Sequence, residues 1–297
     1  MRDAPDLPAR RMAALVETRV RRPGAIADAA ARRRRPASVL GEHGKLMIIA
    51  ADHPARGALR AGADALAMAD RARLLERLCA ALARPGVNGV LGTADVLEDL
   101  LLLGVLDDKV VIGSMNRGGL AGTAFEMDDR FTAYDPDSIA AAGFAGGKML
   151  LRIDPDDAGT VSTLDACGRA VSGLAANGLM AMVEPFIAHR VQGRVRNELT
   201  AEAMIRAVTV AAGLGATSAY TWLKVPVVAD MARVMRSTTL PALILGGEVP
   251  ADADGAYGRW RAALGLPGVQ GLVIGRSLLY PPRGSVADAV DRAVNLL

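Results

Sequence analysis

Eight short apolar runs recur along this chain of 297 residues, and their spacing limits the possible folds more than any other feature. The runs start about every 32 residues, which leaves room for one strand, one helix and two loops in each repeat. Eight such repeats without a break in composition predict a single (β/α)8 TIM barrel of the α/β class, with a doubly wound sheet as the alternative. The predicted strands are Leu46–Ala51, Val87–Leu91, Val110–Ile112, Lys148–Ile153, Leu179–Glu184, Ala219–Val225, Ala242–Leu245 and Val269–Ile274.

Helical signals fill the spaces between these runs. Thr93 and Thr200 are suited to cap helix starts, and Asn177-Gly178 is typical of a helix end. One connection is much longer than the others: Ser114–Asp135 is polar and rich in glycine, and we expect it to close over the face that carries the site. The predicted helices are Ala69–Ala83, Thr93–Leu103, Thr160–Asn177, Thr200–Gly213 and Ser285–Leu297.

Positive charge is concentrated at the N-terminus. Residues 1–40 contain ten Arg against four acids, a net charge of +6, whereas the whole chain carries +3. We interpret this segment as an Arg-rich helical extension (1–40) ahead of a barrel domain (41–297). Because no aromatic residues are interleaved with the arginines, we expect no nucleic-acid partner and take a subunit contact in a homo-oligomer as the simpler role. The apolar runs are too short to span a membrane, and two cysteines fit a reduced, cytoplasmic compartment.

Charged residues inside the apolar runs are the main functional signal, because a strand buried on both faces has no ordinary place for them. Lys148 and Lys224 lie within predicted strands, Glu184 ends another, and Asp52 follows the first. All four residues lie within a predicted strand or at its carboxyl-terminal end, and the active sites of barrels are built at that end. The four residues are therefore the predicted catalytic group.

Lys224 is the strongest candidate for a nucleophile. Strand alternation places Lys224 on one face with Tyr220 and Trp222. Burial on this face and the nearby second cation, Lys148, are expected to lower the pKa of Lys224. A neutral amine can form a Schiff base with a carbonyl group, while Glu184 and Asp52 move protons. The alternative is that each lysine forms a structural salt bridge with one of these carboxylates.

A second cluster suits an anion. Gly246 and Gly247 follow the seventh predicted strand, and Gly275 and Arg276 follow the eighth. Glycine lets backbone N–H groups approach an oxyanion, and the arginine adds a bidentate donor, so the sequence predicts a phosphate site. The remaining predicted substrate contacts are His53, Arg152 and Trp222.

Three of these segments resemble class I, Schiff-base aldolases of the deoxyribose-phosphate aldolase and tagatose-bisphosphate aldolase superfamily. Residues 146–157, which contain Lys148, are similar to the fourth-strand segment of the tagatose-bisphosphate and sulfofructose-phosphate aldolase branch. The Glu-Pro pair at Glu184 and the Leu-Lys-Val run around Lys224 also look like that branch, in which the latter lysine forms the Schiff base. Asp52 matches the first-strand aspartate of related fructose-bisphosphate aldolases, and Gly246-Gly247 is similar to their archaeal type.

The resemblance covers roughly residues 45–280 and implies an aldolase, independent of metals and cofactors, that cleaves a phosphorylated keto-sugar or keto-sugar acid. Residues 129–135 and the Arg-rich start resemble an actinobacterial group of barrels associated with inositol breakdown. That likeness implies 5-dehydro-2-deoxy-6-phosphogluconate as the substrate, with a ketose bisphosphate as the other candidate. Two further functions stay open: a metal-dependent carbon–carbon lyase that uses Asp52, His53 and Glu184, and a non-catalytic sugar-phosphate sensor.

Overall fold

Eight parallel strands close into a barrel in the computed structural model, which describes residues 9–40, 44–250 and 252–297. Neighbours pair in the order β4-β3-β2-β1-β9-β8-β7-β5, and pairing between β4 and β5 closes the ring. The predicted barrel is therefore confirmed, and each predicted run overlaps one of its strands. The strands are β1 (Leu46–Ala50), β2 (Gly89–Gly92), β3 (Val110–Ser114), β4 (Gly146–Ile153), β5 (Met180–Val191), β6 (Arg194–Asn197), β7 (Thr221–Val225), β8 (Ala242–Leu245) and β9 (Val269–Ile274).

Helices surround the barrel. Thr200 caps its helix as expected, since its hydroxyl accepts a hydrogen bond from the Ala203 N–H at 3.1 Å, and Ser285 forms a capping box with Asp288. Within the described ranges, no helix is both long enough and apolar enough to cross a membrane. The helices are α1 (Ala9–Arg21), α2 (Ala25–Arg32), α3 (Arg71–Leu82), α4 (Ala94–Leu102), α5 (Pro136–Ala141), α6 (Gly159–Ala176), α7 (Ala201–Ala212), α8 (Met231–Met235), α9 (Ala253–Leu264), α10 (Arg276–Leu279) and α11 (Val286–Val294), with a 3-10 turn at Pro54–Arg56.

Strand alternation divides the buried apolar residues into two clusters. On β1, Leu46, Ile48 and Ala50 belong to a cluster inside the barrel. Met47 and Ile49 belong to the larger cluster between the strands and the surrounding helices. Both faces of each barrel strand are buried, which explains why the strands read as continuous apolar runs.

The strand β5 extends well beyond its predicted end at Glu184. It continues to Val191, turns, and pairs antiparallel with β6 in a hairpin. Both turn residues, Gln192 and Gly193, have positive φ angles of 51° and 76°, as a tight two-residue hairpin turn requires. The hairpin rises from the carboxyl end of the barrel and contributes a wall to the site described below.

The two N-terminal helices dock on the outside of the barrel, and residues 1–8 of the predicted extension lie outside the described residues. Arg19 of α1 forms ion pairs with Glu98 and Asp99 on α4, each with an N–O distance of 2.9 Å. Arg33, which follows α2, is buried and donates hydrogen bonds to the backbone carbonyls of Lys109 (3.0 Å) and Gly143 (2.7 Å). The extension is therefore held by side-chain contacts to two parts of the barrel domain.

Replacement of Gly271 by alanine tests the tight contact between β9 and β1. Gly271 has a φ of +144°, and a Cβ atom there would lie 2.0 Å from the Leu46 carbonyl oxygen. We expect Gly271→Ala to lower the free energy of unfolding by about 3 kcal/mol or more, because both the backbone conformation and the strand contact oppose the methyl group. Urea denaturation followed by circular dichroism measures this change.

Gly258→Ala is the matched control. Gly258 lies within α9, and a Cβ atom there would meet no atom within 4 Å. The control is expected to stabilise the fold by about 0.5–1 kcal/mol, because alanine favours the helix. Equal unfolding energies for the two variants would contradict the assigned register of β9 against β1.

Candidate active site

A cavity of about 510 Å³ opens at the carboxyl-terminal end of the barrel. Loops and strand ends from all sides of the ring contribute to its wall, as is usual for active sites in this fold. The four predicted catalytic residues line it together: Asp52, Lys148, Glu184 and Lys224. Their side chains are 12% exposed or less.

These four residues form a continuous chain of alternating charges, which we call the ion-pair chain. Lys224 Nζ lies 3.0 Å from Glu184 Oε1, and Glu184 Oε2 lies 2.5 Å from Lys148 Nζ. Lys148 Nζ then lies 3.2 Å from Asp52 Oδ2. Glu184 therefore bridges the two lysines, and Lys148 bridges the two carboxylates.

The lysines keep both carboxylates ionised. Burial acts to raise the pKa of Glu184, but the positive charges of Lys148 and Lys224 outweigh it and lower this pKa to about 2. Burial also acts to raise the pKa of Asp52, and the charges of Lys148 and Arg117 hold it well below its ordinary value. Both side chains are therefore carboxylates at neutral pH.

Lys148 has an unusual acidity for a lysine. Burial lowers its pKa to about 8, and the two cations Lys224 and Arg117 act in the same direction. The carboxylates of Asp52 and Glu184 oppose the shift without cancelling it. Near neutral pH this ammonium group can therefore release and recover a proton far more readily than an exposed lysine.

The residues predicted to bind phosphate also meet at the cavity, after β8 and β9. Gly246, Gly247, Gly275 and Arg276 all line it. A Cβ atom on Gly275 would lie 2.3 Å from the Ala50 carbonyl oxygen, so only glycine allows β9 to end this close to β1.

Three buried polar atoms in this region have no hydrogen-bond partner within the described part of the chain: Arg276 Nε, Ser277 Oγ and His53 Nδ1. Buried polar atoms are nearly always paired in folded proteins, so unpaired ones beside a cavity indicate a place for a polar ligand. Ser277 was not predicted as a site residue. Its neighbour Arg276 carries the charge that sequence patterns reveal, whereas a serine after a strand is common.

Of the three remaining predicted substrate contacts, two line the cavity and one does not. His53 lines the cavity, and burial lowers its pKa to about 3, so its ring is neutral despite the nearby Asp52 carboxylate. Arg152 also lines the cavity and forms a buried ion pair with Glu126. Trp222 instead packs with the apolar cluster inside the barrel, two residues below Lys224 on the same strand, and it is not among the residues that line the cavity.

The loop between β3 and α5, residues 115–135, is fixed at several points. Asp129 forms a buried ion pair with Arg56, and Glu126 forms the pair with Arg152. Asn116 exchanges two hydrogen bonds with the backbone of Leu150 on β4, at 2.6 and 2.8 Å. The segment expected to close over the site therefore already lies against it and is anchored by buried contacts.

Arg117 of this loop is a site residue outside the predicted set. It is 5% exposed, lines the cavity, and lies with its NH1 3.1 Å from Asp52 Oδ2. Burial lowers its pKa to about 10, with the Asp52 carboxylate opposing this. From the sequence alone, Arg117 is left open between a contact to a substrate anion and a surface ion pair, because an arginine in a polar loop gives no local signal of burial.

Two of the three residues expected for a metal-dependent lyase, Asp52 and Glu184, contact a lysine. The ammonium group of Lys148 lies between the carboxylates of Asp52 and Glu184, at 3.2 and 2.5 Å. Among the residues that the structure describes, no group of three His, Cys, Asp or Glu side chains is arranged to hold a metal ion.

The fold and this charged cavity define a (β/α)8 barrel with a site at the carboxyl ends of its strands. A family model matches residues 44–294, and the chain belongs to the Cgl0159-like family. The crystal structure of Cgl0159 from Corynebacterium glutamicum is 52% identical in sequence, covers 98% of each chain and has a TM-score of 0.95. A comparison with curated proteins gives no match.

More distant solved structures share the fold. A Schiff base-forming fructose-1,6-bisphosphate aldolase is 18% identical, with 91% of this chain and 98% of that chain covered and a TM-score of 0.60. An archaeal fructose-1,6-bisphosphate aldolase, with its catalytic Lys bound to a carbinolamine intermediate, is 17% identical, with 91% and 97% covered and a TM-score of 0.60. A fructose-bisphosphate aldolase from Slackia heliotrinireducens is 16% identical, with 88% and 87% covered and a TM-score of 0.61.

Glu184→Gln tests the electrostatics of the ion-pair chain. At pH 7 we expect this variant to be less stable by about 3 kcal/mol, because two buried lysines lose a shared carboxylate. The native pKa of Glu184 is about 2, below its ordinary value of 4.5, so its stabilising effect is complete above pH 4.5 and is lost as the pH falls toward 2. The stability difference between wild type and variant should therefore shrink over this range in urea titrations.

Glu248→Gln is the control for this series. The Glu248 side chain is 84% exposed, so its replacement should change stability little at any pH. A difference between wild type and Glu184→Gln that stays constant from pH 7 to pH 3 would show that Glu184 is not held ionised by the lysines.

Proposed function

We propose that this protein is a class I aldolase in which Lys224 forms a Schiff base with the carbonyl group of a phosphorylated substrate. One observation carries the proposal: Lys224 Nζ lies in the cavity, 3.0 Å from a carboxylate that also binds a second buried lysine. Two fold neighbours, a Schiff base-forming aldolase and an aldolase with its catalytic Lys bound in a carbinolamine, support the same chemistry.

Charges of both signs surround Lys224. Its charged neighbours in the site are the carboxylates of Asp52 and Glu184 and the cations of Lys148 and Arg117. These four charges cancel without any contribution from Lys224. The amine is the form that attacks a carbonyl carbon, so Lys224 must release its proton before it reacts.

The reaction follows from this arrangement. The Lys224 amine adds to the carbonyl to give a carbinolamine, which loses water to form the iminium ion. The bond between the α carbon and the adjoining carbinol carbon then breaks. Its electron pair moves to the iminium to form an enamine, and the carbinol oxygen loses its proton and becomes an aldehyde oxygen. Protonation of the enamine and hydrolysis release the ketone product and restore Lys224.

Proton transfer in these steps is assigned to Lys148. The expectation that Glu184 and Asp52 move protons is at odds with their low pKa values, which make both carboxylates weak bases. Lys148 has a pKa of about 8 and touches both carboxylates, so it is the better proton carrier near neutral pH. In this scheme Glu184 orients the two lysines, and Asp52 holds Lys148 in place.

The substrate class follows from the second cluster. Gly246, Gly247, Gly275 and Arg276, together with the unpaired Ser277 hydroxyl, supply donors for a phosphate group beside β8 and β9. Lys224 lies on β7, next to β8, so the phosphate would be held close to the reacting carbonyl. We therefore propose a phosphorylated keto-sugar or keto-sugar acid. Ketose bisphosphates and 5-dehydro-2-deoxy-6-phosphogluconate are the first compounds to test.

Lys224→Met tests the nucleophile. The wild-type protein incubated with dihydroxyacetone phosphate and borohydride should gain a reduced adduct on the peptide that contains Lys224, detected by mass spectrometry. Lys224→Met should lose both the adduct and at least about 10⁴-fold in turnover, because the covalent path is removed. Circular dichroism checks that the variant retains the native fold.

Lys148→Met is the comparison variant, and we expect it to keep a weaker adduct on Lys224 while turnover falls. An adduct on Lys148 in the wild type would instead assign the Schiff base to the other lysine. Turnover that occurs without any adduct, and that is lost on treatment with EDTA, would favour a metal-dependent lyase. Phosphate-ester binding without turnover or adduct would favour a sensor.

Arg276→Ala tests the phosphate site. The Arg276 side chain is 14% exposed, and its nearest carboxylate, Glu248, lies 3.9 Å away and is mostly exposed. The guanidinium is therefore available to an anion, and its removal should raise KM for a phosphorylated ketone by about tenfold or more. The KM for the unphosphorylated analogue, measured in the same assay, should change less than twofold. An equal rise for both ketones would contradict the assignment.

A further inference from the structure

Arg117 has a donor group that the proposed chemistry does not yet use. Its NH1 donates a hydrogen bond to the Asp52 carbonyl oxygen at 2.8 Å, and its Nε donates to the Asn116 carbonyl oxygen at 2.7 Å. Its NH2 is buried and has no hydrogen-bond partner in the described ranges of the chain. An unpaired guanidinium nitrogen in such a place is costly unless a ligand completes it.

The surrounding contacts fix the position of the Arg117 guanidinium and of its unpaired NH2. Arg56 donates to the carbonyl oxygens of Asn116 and Gly119, each at 2.7 Å, so the backbone on both sides of Arg117 is held. Asn116 is also bound to Leu150 on β4. With NH1 and Nε occupied, NH2 is the guanidinium donor that is left for a ligand in the cavity, which Arg117 lines.

The barrel topology places Arg117 across the cavity from the phosphate site. Arg117 follows β3, and in the closed ring of eight strands β3 lies opposite β8, which leads into Gly246 and Gly247. A substrate with its phosphate beside β8 and β9 and its carbonyl at Lys224 must extend its other half toward β3 and β4. That half carries the carbinol group, whose oxygen becomes the aldehyde oxygen on cleavage.

We propose that Arg117 is a further catalytic residue, whose NH2 donates a hydrogen bond to the substrate oxygen that becomes the aldehyde oxygen. The inference rests on the proposed aldolase function. When the carbon–carbon bond breaks, the electron pair moves to the iminium, the hydroxyl proton moves to Lys148 in its amine form, and negative charge builds up on this oxygen during the transfer. Arg117 itself gives up no proton. It stabilises the developing charge in the way that fixed donors stabilise an oxyanion.

The test separates two half-reactions. Dihydroxyacetone phosphate alone forms the Schiff base and the enamine, seen as a borohydride adduct on Lys224 and as exchange of its α hydrogen in D2O. Neither step involves the aldehyde oxygen. Condensation with an aldehyde, either glyceraldehyde 3-phosphate or malonic semialdehyde, does involve it. Arg117→Gln should leave adduct formation and exchange within about threefold of wild type but slow condensation by about 100-fold or more.

Two further variants keep the result interpretable if Arg117→Gln folds poorly. Arg117→Lys retains a cation beside Asp52 but lacks the second donor, so it should also lose condensation selectively, by about tenfold or more. In Arg117→Ala, added guanidinium ion should restore part of the condensation rate without changing the exchange rate. Arg130→Gln is the matched control, because Arg130 lies in the same loop with a side chain that is 75% exposed, and wild-type rates are expected.

The outcomes are distinct. Equal losses in exchange and condensation would show that Arg117 only positions Asp52, and normal condensation in both Arg117→Gln and Arg117→Lys would show that its NH2 does not contact the reacting oxygen. Either result overturns the inference but leaves the Schiff-base proposal intact. A wild-type protein that forms no adduct and no exchange product would overturn the proposed function, and this inference with it.

Discussion

Burial of two lysines with two carboxylates is the interaction on which the site depends. Asp52, Lys148, Glu184 and Lys224 come from β1, β4, β5 and β7, and only closure of the barrel brings these strand ends together. An uncompensated charge in such a place would cost several kcal/mol, so each side chain is tolerable only because its neighbours have the opposite sign. The lysines lower the pKa of Glu184, and burial makes Lys148 a much stronger acid than a free lysine.

The sequence predicted the barrel because buried parallel strands leave a strong pattern of continuous apolar runs. It did not predict the hairpin of β5 and β6, whose residues are mostly polar and exposed and whose turn begins with Gln192, a residue without a turn preference. Nor could it show that the loop after β3 is anchored. The contacts of Asp129 with Arg56 and of Glu126 with Arg152 join segments 73 and 26 residues apart, and no local periodicity records them.

The contrast between local sequence pattern and contacts made by distant segments also explains which site residues could be predicted. Lys148, Glu184 and Lys224 were predicted because charge is out of place in a buried strand, and the structure brings them together with Asp52. Arg117 stayed open between a substrate contact and a surface ion pair because charge is ordinary in a loop, and only the fold shows that it is buried. Which charged form each group takes also lies beyond the sequence, because it depends on distances of about 3 Å between residues of different strands.

The anchored loop has a consequence for the energetics of substrate binding. Because buried ion pairs already hold residues 115–135 against the barrel, the chain gives up little conformational freedom when a substrate enters. The donor and the charges around the reacting carbon are in place beforehand, so binding energy is available for orienting the substrate rather than for ordering the protein. For the proposed open-chain sugar substrate, the entropy lost on complex formation would then come mainly from the rotatable bonds of the sugar.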